Sequence, residues 1–554
     1  MPPPIARAAR LRAELDRLAD EVEAVAFGMA SEQQSERRAQ RDELSGVLRS
    51  YLIPRLGDPE APLLVVVAGP TGSGKSTLVN SLAEHQVGQP GPLRPTTRQP
   101  VVWCHQRHAD RYRTIGSVAC DVVPDDHPLL DALTVVDTPD IDSYVADHRR
   151  VTVELLQHAD VVVFVTSAQR YADAVPWDVL GAIDRRGSLL VHVLNRLGRR
   201  SAGAEPDYTA MLRRHGLESE SLHSIQEQRV RGEAGLLPGR AVSRLAGRLR
   251  DLAEQRTDVI RQVTEGATAY SIRSALQVAD EVDSQEEERR RLEAVVGDAY
   301  EGAMSEFIDE LDRGLLIRSE VVERWRERVG TSDVARWVRG SASWLRAMAD
   351  RLSGHPATVV EMIESEARRE LADAVSVRLE RAARSVTTGW EVDAAGRGLV
   401  TDDLRVASEE GRTEAGARID EWLAALTRLV ETEAPGRFRM ARITSTGVNA
   451  AAVATILGLF AATGGLTGSE LGVAAGAAAA QQGILEHVLG RAAAASLSQS
   501  ARDRLVESVR GVFDTEAARF RRILVSASDP PQRAESIRQA VSVVEAESES
   551  FHAG

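Results

Sequence analysis

The chain holds 68 lysine and arginine residues, and Lys75 is its only lysine. It stands in Gly69-Pro70-Thr71-Gly72-Ser73-Gly74-Lys75-Ser76. A chain that uses arginine for every other cation keeps lysine here, where a compact ammonium on a flexible stem must reach the β- and γ-phosphates of a nucleotide. A planar guanidinium fork does not fit that task. Glycines at 69, 72 and 74 allow positive φ and let backbone N–H groups approach an anion closely. The Ser76 hydroxyl is placed to ligate Mg2+. The spacing points to triphosphate binding.

Such a cradle needs a strand before it and a helix after it. Residues 63–68 are an apolar, β-branched run that predicts a buried parallel strand, and residues 76–82 read as a helix start. A second carboxylate is expected at the end of another buried strand. Residues 133–137 supply it in Asp137, followed by Thr138-Pro139-Asp140, which makes Asp137 the candidate partner of the metal. Apolar runs at 161–166 and 188–194 follow at α/β spacing, the second leading into Asn195-Arg196-Leu197-Gly198, with helical stretches at 148–158 and 175–186. The alternation predicts an α/β domain, its sheet mostly parallel and covered by helices on both faces. Between the cradle and Asp137 lies Arg94-Pro95-Thr96-Thr97-Arg98-Gln99-Pro100. Its prolines discourage helix. A loop threonine that closes on Mg2+ and the γ-phosphate would make a nucleotide-dependent switch, though the composition also suits an ordinary surface loop.

Taken in order, Gly69–Ser76, Thr97-Arg98-x-Pro100, Asp137-Thr138-Pro139 and Asn195-Arg196 resemble the successive motifs of the dynamin superfamily of large GTPases. The resemblance covers residues 55–250 by motif and the remainder by architecture. It is to bacterial dynamin-like proteins, in particular an actinobacterial type that remodels membranes near division septa, and residues 314–325 and 329–331 are similar to a stretch of those proteins. It implies GTP and Mg2+ as cofactors. Gly69, Pro70, Thr71, Gly72, Ser73, Gly74, Lys75, Ser76 and Thr77 would hold the phosphates. Ser76, Thr97 and Asp137 would serve the metal, and Asn195 and Arg196 would lie against the base. Lys75, Thr97 and Asp137 are the catalytic candidates.

The chain also departs from that family. The second switch usually ends in glycine, where Asp140 stands here. The guanine motif usually runs Asn/Thr-Lys-x-Asp, and here Arg196 takes the lysine place and Gly198 the aspartate place. Discrimination between guanine and adenine therefore stays open. Pro70 and Thr71 replace the water-positioning residues of eukaryotic relatives.

At 554 residues more than one core is expected. The net charge of −14 argues against a nucleic-acid partner, which would need a basic face. Two cysteines, Cys104 and Cys120, indicate neither a disulfide framework nor a metal site and fit a reducing compartment; no signal-peptide pattern predicts secretion. Residues 5–50 carry an amphipathic helical pattern through Leu11, Leu15, Leu18, Val22 and Val25. From 255 to 440 the chain is charged and nearly free of proline, as at 361–386, which predicts a long helical bundle or stalk. Trp325, Trp337 and Trp344 read as its core or an interface. The expected organisation is a neck helix at 1–54, the nucleotide domain at 55–255, a helical stalk at 256–440, a membrane hairpin at 441–492, and a returning helix with an acidic tail at 493–554.

Residues 443–469 and 471–485 carry no charge and are separated only by Glu470, with Arg437, Arg439, Arg442 and Arg491 outside. Cationic outer flanks suit a hairpin entering a membrane from the cytoplasmic side. Residues 448–466 would span about 28 Å as helix, close to the roughly 30 Å hydrocarbon layer. The second arm is shorter and contains Gln481 and Gln482, so it reads as re-entrant; an Ala-rich hairpin inside the bundle is the other reading. Small residues at Gly458, Gly464, Gly472 and Gly476 would let the arms pack closely.

The implied function is GTP hydrolysis that drives membrane binding and remodelling at the cytoplasmic face of the cell membrane. Lipid and a second copy, or a paired dynamin-like protein, are the implied partners. An ATP-hydrolysing membrane-associated protein and a nucleotide-binding structural membrane protein with little hydrolysis stand as alternatives. A ribosome-assembly GTPase would need a basic appendage that this acidic helical region does not offer.

Overall fold

The computed structural model describes residues 4–29, 33–88, 99–141, 146–198, 201, 203–217, 222–232, 235–313, 356–433 and 491–552. The Thr97 loop, residues 314–331 with Trp325, Trp337 and Trp344, and the uncharged hairpin lie outside them. The chain divides into two compact units. The first comprises residues 1–26, 35–284 and 529–554, and the second residues 27–34 and 285–528.

The first unit is built on a seven-stranded sheet. Its strands are β1 (Leu63–Ala68), β2 (Val101–His105), β5 (Asp121–Asp125), β6 (Leu133–Asp137), β7 (Val161–Ser167), β8 (Leu189–Leu197) and β9 (Leu222–Gln226), in the order β5-β2-β6-β1-β7-β8-β9. A two-stranded ribbon, β3 (Thr114–Ile115) and β4 (Val118–Ala119), stands apart from it. All pairings in the main sheet are parallel except β2 against β6. Every residue of β1, β6 and β7 is buried, as apolar runs covered on both faces must be. Helices Ala146–Gln157 and Ala174–Arg185 fall where the periodicity places them.

Two features depart from the sequence reading. Strand β8 does not stop at 194 but runs to Leu197, because a register irregularity between Leu194 and Leu197 and the left-handed φ of 57° at Arg196 let pairing with β9 resume. The region 101–125 holds four strands that the sequence does not announce; β2 and β5 are short, and β5 carries Pro124 as an edge strand tolerates.

Helix Pro4–Glu23 packs against Arg533–His552, burying Leu11, Leu15, Leu18 and Val22 with Ile537, Val541 and Val544. The pattern over 5–50 resolves into two helices, the second being Gln34–Gly46, which continues through a π-helical turn, Val47–Leu52, into Ile53–Gly57. Buried Asp160 joins this run to the sheet. It accepts from Tyr51 Oη at 3.0 Å and Leu64 N at 2.8 Å and pairs with Arg55 at 3.2 Å.

The second unit is helical. It is formed by Pro356–Val392, Glu409–Glu433, Arg491–Ala527 and the later part of Arg256–Asp312. Leu371, Val375, Leu379 and Val386 recur at helical spacing and are buried in one core with Trp390, Trp422, Phe513 and Phe520. Both indoles are satisfied. Trp390 Nε1 donates to Leu292 O at 3.1 Å, and Trp422 Nε1 to Ala501 O at 2.8 Å, as buried tryptophan requires. Among the described residues no helix is long and apolar enough to cross a membrane.

Candidate functional site: a phosphate cradle and its metal and base ends

The cradle begins at the C-terminal end of β1, the edge at which open parallel sheets bind ligands. Gly69, Gly72 and Gly74 have φ of 153°, 75° and 98°. Gly69 is the tightest. A Cβ there would lie 2.0 Å from the Val165 carbonyl oxygen of β7, so no side chain is tolerated. We expect Gly69→Ala to cost at least about 3 kcal/mol of stability, read as a lowered denaturant midpoint of the full chain. Wild-type unfolding would show that β7 can give way.

Helix Lys75–Ala83 starts at the loop's end, with its free N–H groups facing back over the cradle. Lys75 is 5% exposed. Its Nζ donates to Gly69 O at 2.9 Å, Pro70 O at 3.3 Å and Asp140 Oδ1 at 2.5 Å. The ammonium is thus folded onto its own loop and held by an aspartate from the segment after β6. Ser73 is fully buried, and its hydroxyl has no hydrogen-bond partner among the described residues. Thr71 and Thr77 flank the loop, both half-buried.

The segment after β6 is pinned against β1. Thr138 Oγ1 donates to Val67 O at 3.0 Å, and Ile141 N donates to Gly69 O at 3.3 Å. Asp137 is fully buried, and among the described residues neither carboxylate oxygen has a hydrogen bond of good geometry. Burial pushes its pKa up to about 6, against the opposing pull of the facing Ser76 hydroxyl and Lys75 ammonium. A Cβ on Gly88 would stand 2.8 Å from Asp137 Oδ2 and 3.4 Å from Ser76 Cβ. Backbone without a side chain therefore walls the space beside the serine and aspartate. Asn80 fixes that wall: Gly88 N and Val87 N donate to its Oδ1 at 2.8 and 2.9 Å, and its Nδ2 donates to Gly88 O at 2.9 Å.

The base end is built from β8. Asn195 is buried, and its Nδ2 donates to Ser73 O at 2.8 Å, clamping the cradle, while its Oδ1 accepts from Arg196 N at 2.9 Å. A Cβ on Gly74 would meet Asn195 Nδ2 at 2.6 Å and Arg196 Nε at 3.9 Å, so the Asn195–Arg196 pair leans over the loop. The structure thus brings together the 69–77 loop, Asp137, Asn195 and Arg196; Thr97 lies outside the described residues. Asp140 as partner of Lys75, and Asn80 with Gly88, were not readable as site residues, because loop contacts leave no periodic signal.

Residues 64–196 match a family described as "50S ribosome-binding GTPase". This region is a P-loop GTPase domain. Over 132 residues the chain is 31% identical to a "Probable transmembrane GTPase FZO-like, chloroplastic" of Arabidopsis thaliana. That match covers 22% of this chain and spans 14% of the relative's length. Among solved structures, one of an oligomerised bacterial dynamin pair, described as a mechanism for long-range sensing and tethering of membranes, is similar at 12% identity and a TM-score of 0.42. It covers 97% of this chain and 95% of its own. The bacterial dynamin GTPase LeoA from ETEC is similar at 12% identity and a TM-score of 0.25, covering 99% and 97%.

Proposed function

We propose that the chain is a dynamin-like enzyme that binds and hydrolyses GTP with Mg2+ and uses the cycle to bind and remodel membrane. The observation that carries the nucleotide half is the convergence, at the end of β1, of a buried single lysine, a buried carboxylate at Asp137 and the Asn195 clamp. The membrane half is supported by the uncharged residues 443–469 and 471–485, which fall in the sequence between helices Glu409–Glu433 and Arg491–Ala527, and by the transmembrane description of the plastid relative.

The residues present fit a magnesium ion. Asp137 offers a buried carboxylate that faces the Ser76 hydroxyl, and Gly88 contributes no side chain to the adjoining space. Ser76 and Asp137 would hold the ion, with Thr97 completing the set. A bound Mg2+ would neutralise charge developing on the transferred phosphoryl group. Lys75 would turn from the Gly69 and Pro70 carbonyls to the β- and γ-phosphates, and the 69–77 backbone would hold them in place. Asn195 and Arg196 would set the base. The chain would act at the cytoplasmic face of the membrane near division septa, as a homo-oligomer or with a dynamin-like partner.

The decisive experiment is multiple-turnover phosphate release from GTP and ATP, with and without liposomes, together with flotation of the full chain and of a chain lacking 443–490. GTP turnover with flotation lost in the deletion supports the proposal. Turnover of ATP alone, or flotation unchanged by the deletion, sinks the corresponding half.

Asp140 gives this site a further property. Its carboxylate takes the lysine that the phosphates need, so nucleotide must displace one anion to seat another. Asp140→Gly, which restores the residue usual at this place, is expected to tighten GTP binding by about tenfold, an exchange of roughly 1.4 kcal/mol. Unchanged or weaker affinity by fluorescent-nucleotide titration would show that the pair does not compete.

A further inference from the structure

Gly198 leaves the guanine position without its carboxylate, yet the structure puts another beside it. Strand β9 ends at Gln226, and the next residue, Glu227, donates its N–H to Leu197 O at 2.9 Å. That bond sets Glu227 alongside Gly198, one residue past the last pair of the β8–β9 ladder, Leu197 with Gln226. A Cβ built on Gly198 would lie 3.4 Å from Glu227 Oε2. The glutamate carboxylate therefore stands at the edge of the volume that an aspartate at 198 would fill. It is exposed, and it makes no hydrogen bond or ion pair among the described residues. The same ladder carries the irregularity at 194–197 and the left-handed Arg196, which bring Asn195 and Arg196 over the cradle from the same strand end.

We propose that Glu227 reads the base: it is the specificity-determining carboxylate for guanine, moved from the end of β8 to the end of β9. This assignment rests on the reading of the head as a GTP site. The chemistry is a two-point contact, in which a carboxylate accepts from the N1–H and from the 2-amino group of guanine. Adenine presents a lone pair at N1 and no 2-amino group, so it would face the anion with an acceptor and leave the carboxylate unpaired. Glycine at 198 belongs to the same arrangement, because a Cβ there would already be in van der Waals contact with the glutamate carboxylate. The contact is between loops at the ends of two strands, and nothing in the spacing of 195–198 points to residue 227.

The test uses the full chain as wild type, Glu227→Gln, Glu227→Ala and the double variant Gly198→Asp/Glu227→Ala, titrated with GTP, ATP and xanthosine triphosphate. Xanthine carries a carbonyl where guanine has the 2-amino group, so an amide at 227 would donate to it. Glu227→Gln is expected to lose about tenfold or more in GTP affinity and to gain xanthosine triphosphate binding. Glu227→Ala is expected to lose the preference for GTP over ATP, and the double variant to regain it. A merely structural glutamate would not produce the gain of xanthine binding. If the wild type prefers GTP and both single variants keep that preference, another group reads the base and this assignment fails alone. If the wild type shows no preference for GTP, the GTP reading fails and takes this assignment with it.

Discussion

Lys75→Ala is expected to abolish nucleotide binding, with a loss of about a hundredfold or more in affinity for GTP. A hydrogen bond from a charged donor contributes about 1.5–3 kcal/mol, and this ammonium would serve two phosphates in a site that is 5% exposed. The fold should survive, because the lysine's contacts are with two carbonyls of its own loop and with Asp140, none of which belongs to the hydrophobic core. Lys75→Arg is expected to fail almost as badly. Its guanidinium keeps the charge, but a planar fork cannot take the position of a compact ammonium buried under the loop. Fluorescent-nucleotide titration with circular dichroism as the folding control decides the matter. A Lys75→Arg variant with wild-type affinity would show that charge alone is required, and that the survival of a single lysine among 68 basic residues has another cause.

The second large effect belongs to Asp137, and its two readouts have opposite signs. Its carboxyl titrates at about 6 in the folded chain against 3.8 for the ordinary group. The raised value means that the folded state holds its proton more tightly than the unfolded state. Well below pH 3.8 both states are protonated and the residue makes no difference. As pH rises from about 4 to 6 the unfolded state ionises first, stability falls, and the full penalty is present above about 6. The shift corresponds to up to about 3 kcal/mol. Asp137→Asn is therefore expected to raise the unfolding midpoint of the nucleotide-free protein at pH 7.5, to leave it little changed at pH 4, and to remove Mg2+-supported turnover by about a thousandfold. A variant less stable than wild type at pH 7.5 without Mg2+ would show that the carboxylate is already compensated by other groups. If Asp137 holds Mg2+ as proposed, proton and cation compete for the same oxygens in the wild type. Apparent Mg2+ affinity should fall by about tenfold per pH unit below pH 6. A flat profile between pH 5 and 6 would remove Asp137 from the metal site.

Different parts of the molecule were legible to different degrees. Strands β1, β6 and β7 are visible as apolar runs because a strand covered on both faces must be hydrophobic at every position. The helices of the second unit are visible because each buries a single stripe, such as Leu371, Val375 and Leu379, at helical spacing. The cradle is legible because its backbone demands glycine at positions of positive φ, and its chemistry demands a lysine and a serine at set distances. Strands β2 and β5 are not legible. Both are five residues long; β5 lies at the sheet's edge and carries Pro124, and β2 lies between it and β6, so neither leaves the long apolar run that marks β7.

Residue types and their spacing alone pointed to a triphosphate site, to the loop that would form it, and to a helical region and an uncharged segment beside it in the chain. These follow from local demands on residue type. Which groups meet across the site depends on the folded arrangement of strands and loops. Asp140 reaches Lys75, Asn80 fixes Gly88 beside Asp137, and Glu227 comes beside Gly198. Each of these contacts joins segments whose separation is set by sheet order and loop path. No period or spacing encodes such a meeting, because it depends on where parallel strands end and how the chain returns between them.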